Sequence, residues 1–337
     1  MMAERVANRL PIVDLGGEHA SKAARLAAAA ALDKAYRELG FCYVSNTGVD
    51  PALVAATFEA SRRFHAMPDE AKHALAINAW HRGYIAPASS TIRSSSVAEV
   101  KRANLSDSFM VMHEVSPDDP RYGQPLQGPN QWPTQLPGFK PTVEAYRSAM
   151  TALALRLTRI LALGLGLDEQ HLDPYFEQPT VWLRLLHYPP QPAAAADDQY
   201  GAAPHTDYGF ITILAQDGVG GLEVRTRSGE WLAAPPMADT FVVNVADMLA
   251  RWSNDRWTST PHRVRNRSPR DRFSIPFFWD TSMDSRIECL PSCRVPGETP
   301  RYEPVVFGDY VLDRLNRNYA YRHAGGVEDP GTGLGRE

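Results

Sequence analysis

Between Ser21 and Leu39 apolar residues recur at helical spacing in an Ala-rich run (Leu26, Ala29, Ala30, Leu32, Tyr36, Leu39), and Gly40 stands where a left-handed residue commonly closes a helix. Phe41 to Val44 is continuously apolar and too short for a helix, which predicts a buried strand closed by Ser45-Asn46-Thr47-Gly48. Helical spacing returns over Pro51 to His65 and Asp69 to Ala76. It is longest from Thr142 to Leu167, where Val143, Tyr146, Met150, Leu153, Leu157, Ile160 and Leu161 form one stripe. Residues 78–140 are rich in Ser, Pro, Gly and Trp, lack a clear period and read as long functional loops. Residues 1–178 are therefore expected to be mostly helical around one early strand.

After Pro179 the period becomes extended. Short runs rich in β-branched and aromatic residues cover Val181 to Tyr188, Gly209 to Ala215, Gly221 to Arg225, Phe241 to Val245, His262 to Arg265 and Arg272 to Trp279. Turn signals such as Pro189-Pro190, Asp217-Gly218 and Ser228-Gly229 separate them, with no helical pattern between neighbours. This predicts an antiparallel barrel or jelly-roll core over residues 179–290, followed by a C-terminal helix within 305–323.

The 337 residues are 44% hydrophobic and 22% charged, the usage of an ordinary globular protein. The net charge of −4 provides no positive field for nucleic acid or anionic lipid. No apolar run reaches the roughly 18 residues a membrane span needs, and the first dozen residues hold no signal-peptide stretch, so a cytoplasmic protein without nucleic-acid or membrane partners is expected. Oligomeric state has no signature in the sequence. Cys42, Cys289 and Cys293 are an odd number and read as reduced thiols.

The chain carries ten histidines, and their spacing changes the picture. An open iron site takes two imidazoles and a carboxylate on one face, leaving positions for oxygen and an organic ligand. In extended chain, residues i and i+2 share a face, so His205 and Asp207 of His205-Thr206-Asp207 are able to point together. His171-Leu172-Asp173 has the same spacing, but it follows the long helix and precedes Pro174, which places it in a turn. His262 supplies a second imidazole from a later strand-like segment. Arg272-Phe273-Ser274 then sets a guanidinium and a hydroxyl on one strand face, a pair suited to a small carboxylate.

Taken in order, these motifs resemble the non-haem Fe(II), 2-oxoglutarate-dependent oxygenases, in particular the isopenicillin N synthase-like branch. The likeness extends over nearly the whole chain, through Pro11-Ile12-Val13-Asp14-Leu15, Gly40 to Asn46, Arg82-Gly83-Tyr84, Tyr188-Pro189-Pro190, Gly220 to Val224 ahead of Trp231, and Asn244 to Leu249. It departs at Thr47, where relatives commonly have His, and at Leu186, often Asn in plant relatives. The resemblance implies a mainly β, double-stranded β-helix (jelly-roll) core with flanking helices, organised as one domain over residues 1–337.

By the same resemblance, His205, Asp207 and His262 match the iron ligands, Arg272 and Ser274 the pair that holds 2-oxoglutarate, and Tyr188 a tyrosine that assists them. Phe278, Tyr208, Tyr43 and Arg93 are candidates for the substrate pocket. The implied reaction consumes 2-oxoglutarate and O2, releases succinate and CO2, and hydroxylates, desaturates or cyclises a small organic metabolite. Two other readings stay open at this level. One is an iron oxidase of the same family that dispenses with 2-oxoglutarate; the other is a non-catalytic barrel with a metal site.

Overall fold

A side-chain oxygen opens each of the first two helices by accepting a backbone N–H that has no partner inside the helix. Ser21 Oγ takes the Ala24 N–H (3.2 Å) ahead of α1 (Lys22–Glu38), and Asp50 Oδ1 takes the Ala52 N–H (2.8 Å) ahead of α2 (Pro51–His65). The computed structural model of the protein describes residues 9–87, 102–191, 196, 198–319 and 322. In chain order the remaining elements are β1 (Ile12–Asp14) before α1, β2 (Phe41–Ser45), α3 (Asp69–His73), β3 (Gly83–Ile85), β4 (Asp107–Met112) and α4 (Phe139–Gly164). The second half holds β5 (Thr180–Tyr188), β6 (Ala202–His205), β7 (Ile211–Gln216), β8 (Leu222–Arg225), β9 (Trp231–Ala233), β10 (Phe241–Val245), α5 (Asp247–Trp252), β11 (His262–Val264), β12 (Arg272–Asp280), β13 (Arg286–Ile287), β14 (Val305–Val306) and α6 (Phe307–Asn318).

Among the described residues, eight strands form a major sheet in the order β1-β2-β10-β7-β12-β5-β4-β3, and four form a minor sheet, β6-β11-β8-β9. The outer face of the major sheet, with Cys42, Leu183, Leu185, Ile213, Val243, Ile275 and Phe277, packs on the apolar stripe of α4 and on α1 and α2. Its inner face meets the minor sheet in a smaller cluster that joins Phe41, Leu186 and Val242 to Leu222, Val224 and Val264. This is the jelly-roll expected from the strand pattern.

The N-terminal part holds more strand than expected. The region read as loop contributes β3 and β4, and β4 is buried along its whole length between β3 and β5. Its pattern hid it, because the strand opens on Asp107-Ser108 and both its faces are covered, which leaves no polar and apolar alternation to read. The short strands β6 and β9 were likewise not expected. The C-terminal helix is narrower than the predicted 305–323, since Val305 and Val306 pair with β13 before α6 begins.

One end of the β4-β5-β12 ribbon is clasped by a single imidazole. His187 lies opposite Asp107 on β4 and Phe273 on β12, and its Nδ1 and Nε2 meet Asp107 Oδ1 at 2.7 Å and Asp271 Oδ1 at 3.0 Å. Burial opposes the imidazolium, but the hydrogen bonds to Asp107 and Asp271 overcome it and hold His187 above its ordinary pKa. The clasp's stabilisation is thus complete below pH 6.5 and lost as pH rises through the raised value. His187→Leu is expected to lower stability by about 2 kcal/mol in acid, where it strands the buried Asp107 carboxylate, and by less in alkali. Urea midpoints of the two proteins across that range check this; a gap that widens with pH contradicts it.

Candidate active site

The two histidines of the sequence pattern are direct cross-strand partners. His262 on β11 pairs with His205 at the end of β6, with ring centres 4.3 Å apart. Asp207 follows two residues after His205, and its backbone carbonyl accepts the Asp247 N–H (2.9 Å), which ties it to the start of α5. One donor atom from each of His205, Asp207 and His262 lies within 4.8 Å of the others. Asp207 Oδ1 is 3.7 Å from Nε2 of each histidine.

The remaining polar atoms of the three side chains are engaged so that these donors face one point. His205 Nδ1 is 2.7 Å from the Ala203 carbonyl and His262 Nδ1 3.2 Å from that of Thr260, which leaves both Nε2 atoms as lone-pair donors. Asp207 Oδ2 accepts from Thr212 Oγ1 (2.5 Å) and Asn244 Nδ2 (2.9 Å), which leaves Oδ1 free. Burial and the neighbouring His262 pull His205 down to about 4. Burial pushes Asp207 up, but the two imidazoles and the Thr212 and Asn244 hydrogen bonds outweigh it and hold the carboxyl below its usual range. At neutral pH the cluster therefore presents a neutral imidazole at His205 beside a carboxylate, the protonation a divalent metal requires. Phe41 stands edge-on to His262 at 5.2 Å and walls one side.

The triad opens into a cavity of about 180 Å³ on the inner face of the major sheet. Alternate residues of β5 and β12 line it as two facing rows, Tyr188, Leu186, Arg184 and Trp182 on one strand and Arg272, Ser274, Pro276, Phe278 and Asp280 on the other. Arg272 is fully buried. Its Nη2 donates to Gln216 Oε1 (3.0 Å), its guanidinium lies over the Tyr188 ring at 4.7 Å, and among the described residues its Nε and Nη1 have no hydrogen-bond partner. A buried guanidinium with two idle donors is costly unless an anion completes it. The pocket thus fits a carboxylate between Arg272 and Ser274, in the same cavity as the metal donors but on the facing sheet.

Of the candidates for the substrate pocket, Phe278 and Tyr208 line the cavity, and Asn318 of α6 donates to the Tyr208 hydroxyl. Tyr43 does not line it. It shares a β2 face with Phe41 but lies two residues farther along, where its hydroxyl donates to the Pro235 carbonyl (2.5 Å) and burial pushes it up to about 12. Arg93 lies outside the described residues. Asp173 of the second His-x-Asp is ion-paired with Arg159 at 2.9 Å, a structural contact.

Sequence reasoning missed His81, Trp182, Arg184 and Asp280. Asp280 accepts from the Phe210 N–H (2.7 Å) and from Trp182 Nε1 (2.9 Å), and burial pushes it up to about 7. Its carboxylate explains Gly209, where a Cβ would stand 1.5 Å from Oδ1.

Residues 10–135 match the family described as non-haem dioxygenase in morphine synthesis N-terminal, and residues 179–281 match the 2OG-Fe(II) oxygenase superfamily. A 2-oxoglutarate-Fe(II) type oxidoreductase of Emericella nidulans, hxnY, is 36% identical over 294 residues, 85% of this chain and 83% of that one. The chain belongs to the 2-oxoglutarate and Fe(II)-dependent oxygenase superfamily. Other relatives agree. A homoarginine-6-hydroxylase of Oryza sativa is 33% identical over 86% of this chain and 88% of its own. The crystal structure of a full-length Neurospora crassa protein in complex with alpha-KG and thymine superposes with a TM-score of 0.81 at 30% identity, covering 91% of this chain and 96% of that one. Like this superfamily, the protein is an oxidoreductase that uses Fe(II), 2-oxoglutarate and O2 for hydroxylation or a related oxidation.

Asn244→Leu should weaken Fe(II) binding about 10–100-fold by releasing the Asp207 carboxylate, while leaving the fold intact. Anaerobic calorimetric titration measures this directly, and an unchanged affinity would show that the Asn244 contact does not orient a metal ligand.

Proposed function

We propose that His205, Asp207 and His262 hold Fe(II), that Arg272, Ser274 and Tyr188 hold 2-oxoglutarate, and that a small organic substrate lies beyond them against Trp182, Tyr208 and Phe278. The single observation that carries this reading is Arg272, a fully buried guanidinium with two donors unsatisfied among the described residues, in the same cavity as the metal donors. Bound iron and 2-oxoglutarate supply the oxidising power, with O2 and 2-oxoglutarate consumed, succinate and CO2 released and one substrate C–H bond oxidised. The chain's own residues do the positioning. Gln216 and the Tyr188 ring fix the Arg272 fork, Ser274 adds a hydroxyl donor on the same face, and Leu186 and Leu214, paired with Ser274 and Pro276, give the cavity an apolar wall beside that anchor.

The same reading places the protein in the isopenicillin N synthase-like branch and treats the chain as one working unit, since β1 to β4 of the first half complete the sheet that carries β5, β7 and β12. A dissolved substrate in a reducing compartment suits the three free, buried cysteines, and the net charge of −4 suits neither nucleic acid nor an anionic membrane. Among the described residues no helix is long and apolar enough to cross a membrane.

Arg272→Leu should raise KM for 2-oxoglutarate by at least about 30-fold, the equivalent of about 2 kcal/mol for one side of a buried charge pair. Succinate release against 2-oxoglutarate concentration reads it. An unchanged KM would place the cosubstrate elsewhere.

A further inference from the structure

Arg184 stands apart from the residues assigned above. It lies on β5 in the cavity row, two positions from Leu186 and two from Trp182, at the opposite end from Tyr188 and Arg272. The register brings it beside Pro276, four residues along β12 from Arg272, a backbone separation of about 13 Å. It therefore serves a different part of the cavity from the 2-oxoglutarate anchor.

The Arg184 side chain is aimed by one contact. Its Nε donates to Ser108 Oγ at 2.8 Å, and Ser108 is itself fully buried on β4, where Met110 is the cross-strand partner of Arg184. Among the described residues the guanidinium has no carboxylate partner, and its two Nη groups make no hydrogen bond. Both acidic groups of the lining are engaged elsewhere: Asp280 accepts from Phe210 N and Trp182 Nε1, and Asp207 is committed to Thr212, Asn244 and the histidines. Its neighbours in the lining by strand register are apolar or aromatic: Met110, its cross-strand partner on β4, Trp182 two residues along β5, and Phe278 opposite Trp182 on β12. His81 closes the group with its ring edge-on to Trp182 at 5.4 Å and to Tyr319 at 4.7 Å. Burial holds His81 well below the usual imidazole range, so it adds no second cation.

A half-buried cation among apolar walls gains most from an anionic occupant, because a guanidinium binds a carboxylate through two parallel N–H donors and water competes poorly there. We propose that Arg184 is the specificity-determining residue for substrate, and that the substrate class is a small carboxylic acid with an apolar or aromatic body. Its acid group docks on the Arg184 Nη atoms, and its body lies between Trp182 and Phe278, within reach of the metal cluster. This rests on the assignment of the metal and 2-oxoglutarate sites given above.

The test uses matched probes that differ only in charge, phenylacetic acid against phenylacetamide and 3-phenylpropionic acid against 3-phenylpropanamide. Binding is read by saturation-transfer NMR with Zn(II) in place of Fe(II), so that no turnover occurs, and with 2-oxoglutarate saturating, so that Arg272 is occupied. The acids are expected to bind at least tenfold more tightly than their amides. Arg184→Gln should abolish that preference without changing 2-oxoglutarate affinity, measured separately by calorimetry, and Arg184→Lys should restore part of it. Equal binding of acid and amide, no binding of any probe, or an acid preference that survives Arg184→Gln would overturn the proposal. Failure of the site assignment would appear instead as lost 2-oxoglutarate binding in the wild-type protein.

Discussion

Because β12 is hydrogen-bonded between β5 and β7, each of its residues faces either the helices or the cavity, and no intermediate orientation exists. Ile275 and Phe277 enter the helix-side core, so Arg272, Ser274, Pro276, Phe278 and Asp280 must face inward. A slip of one residue would bury Arg272 among the side chains of α2 and α4 and turn Phe273 into the cavity. The apolar core behind the sheet therefore fixes the register that brings the guanidinium, the aromatic wall and the acidic end of the pocket into one row. The Asp107–His187–Asp271 clasp secures the same register at the end where Arg272 enters.

The metal donors depend on a second register, that of the minor sheet. Pairing His262 with His205 across β6 and β11 places two imidazoles side by side, and the chain leaves β6 in time for Asp207 to turn toward both. The sheets do not merely carry the two halves of the site. Phe41 from the major sheet packs on His262, and Thr212 and Asn244, also from the major sheet, hold the Asp207 carboxylate. Neither half of the site keeps its geometry if the sheets separate, which connects stability of the small inter-sheet core with the orientation of the donors.

Much of this arrangement was legible in the sequence because period two is a local property. Arg272-Phe273-Ser274 shows by spacing alone that its outer members share a face of β12, whereas His205-Thr206-Asp207 names the right donors although β6 ends at His205 and Asp207 reaches the cluster through the turn that follows. What the sequence concealed depends on contacts between distant strands. Tyr43 and Phe41 share a face of β2, and only the positions of β10 and the Pro235 segment show that Phe41 reaches the cavity while Tyr43 stops beyond it. Arg184 resembles any arginine in a mixed strand until β4 and β12 bring Ser108 and Phe278 beside it. β4 escaped because a strand covered on both faces has no alternation, and Asp107 gives it a polar start.

The central claim is that one Fe(II) and one 2-oxoglutarate meet at His205, Asp207 and His262 in this cavity. The most direct test is visible absorption of the anaerobic protein as Fe(II) and then 2-oxoglutarate are added. The structure predicts a charge-transfer band that appears only with both present, saturates at one iron per chain, and is lost in His262→Ala. A band absent from the wild-type protein, or one that persists in His262→Ala, would contradict it.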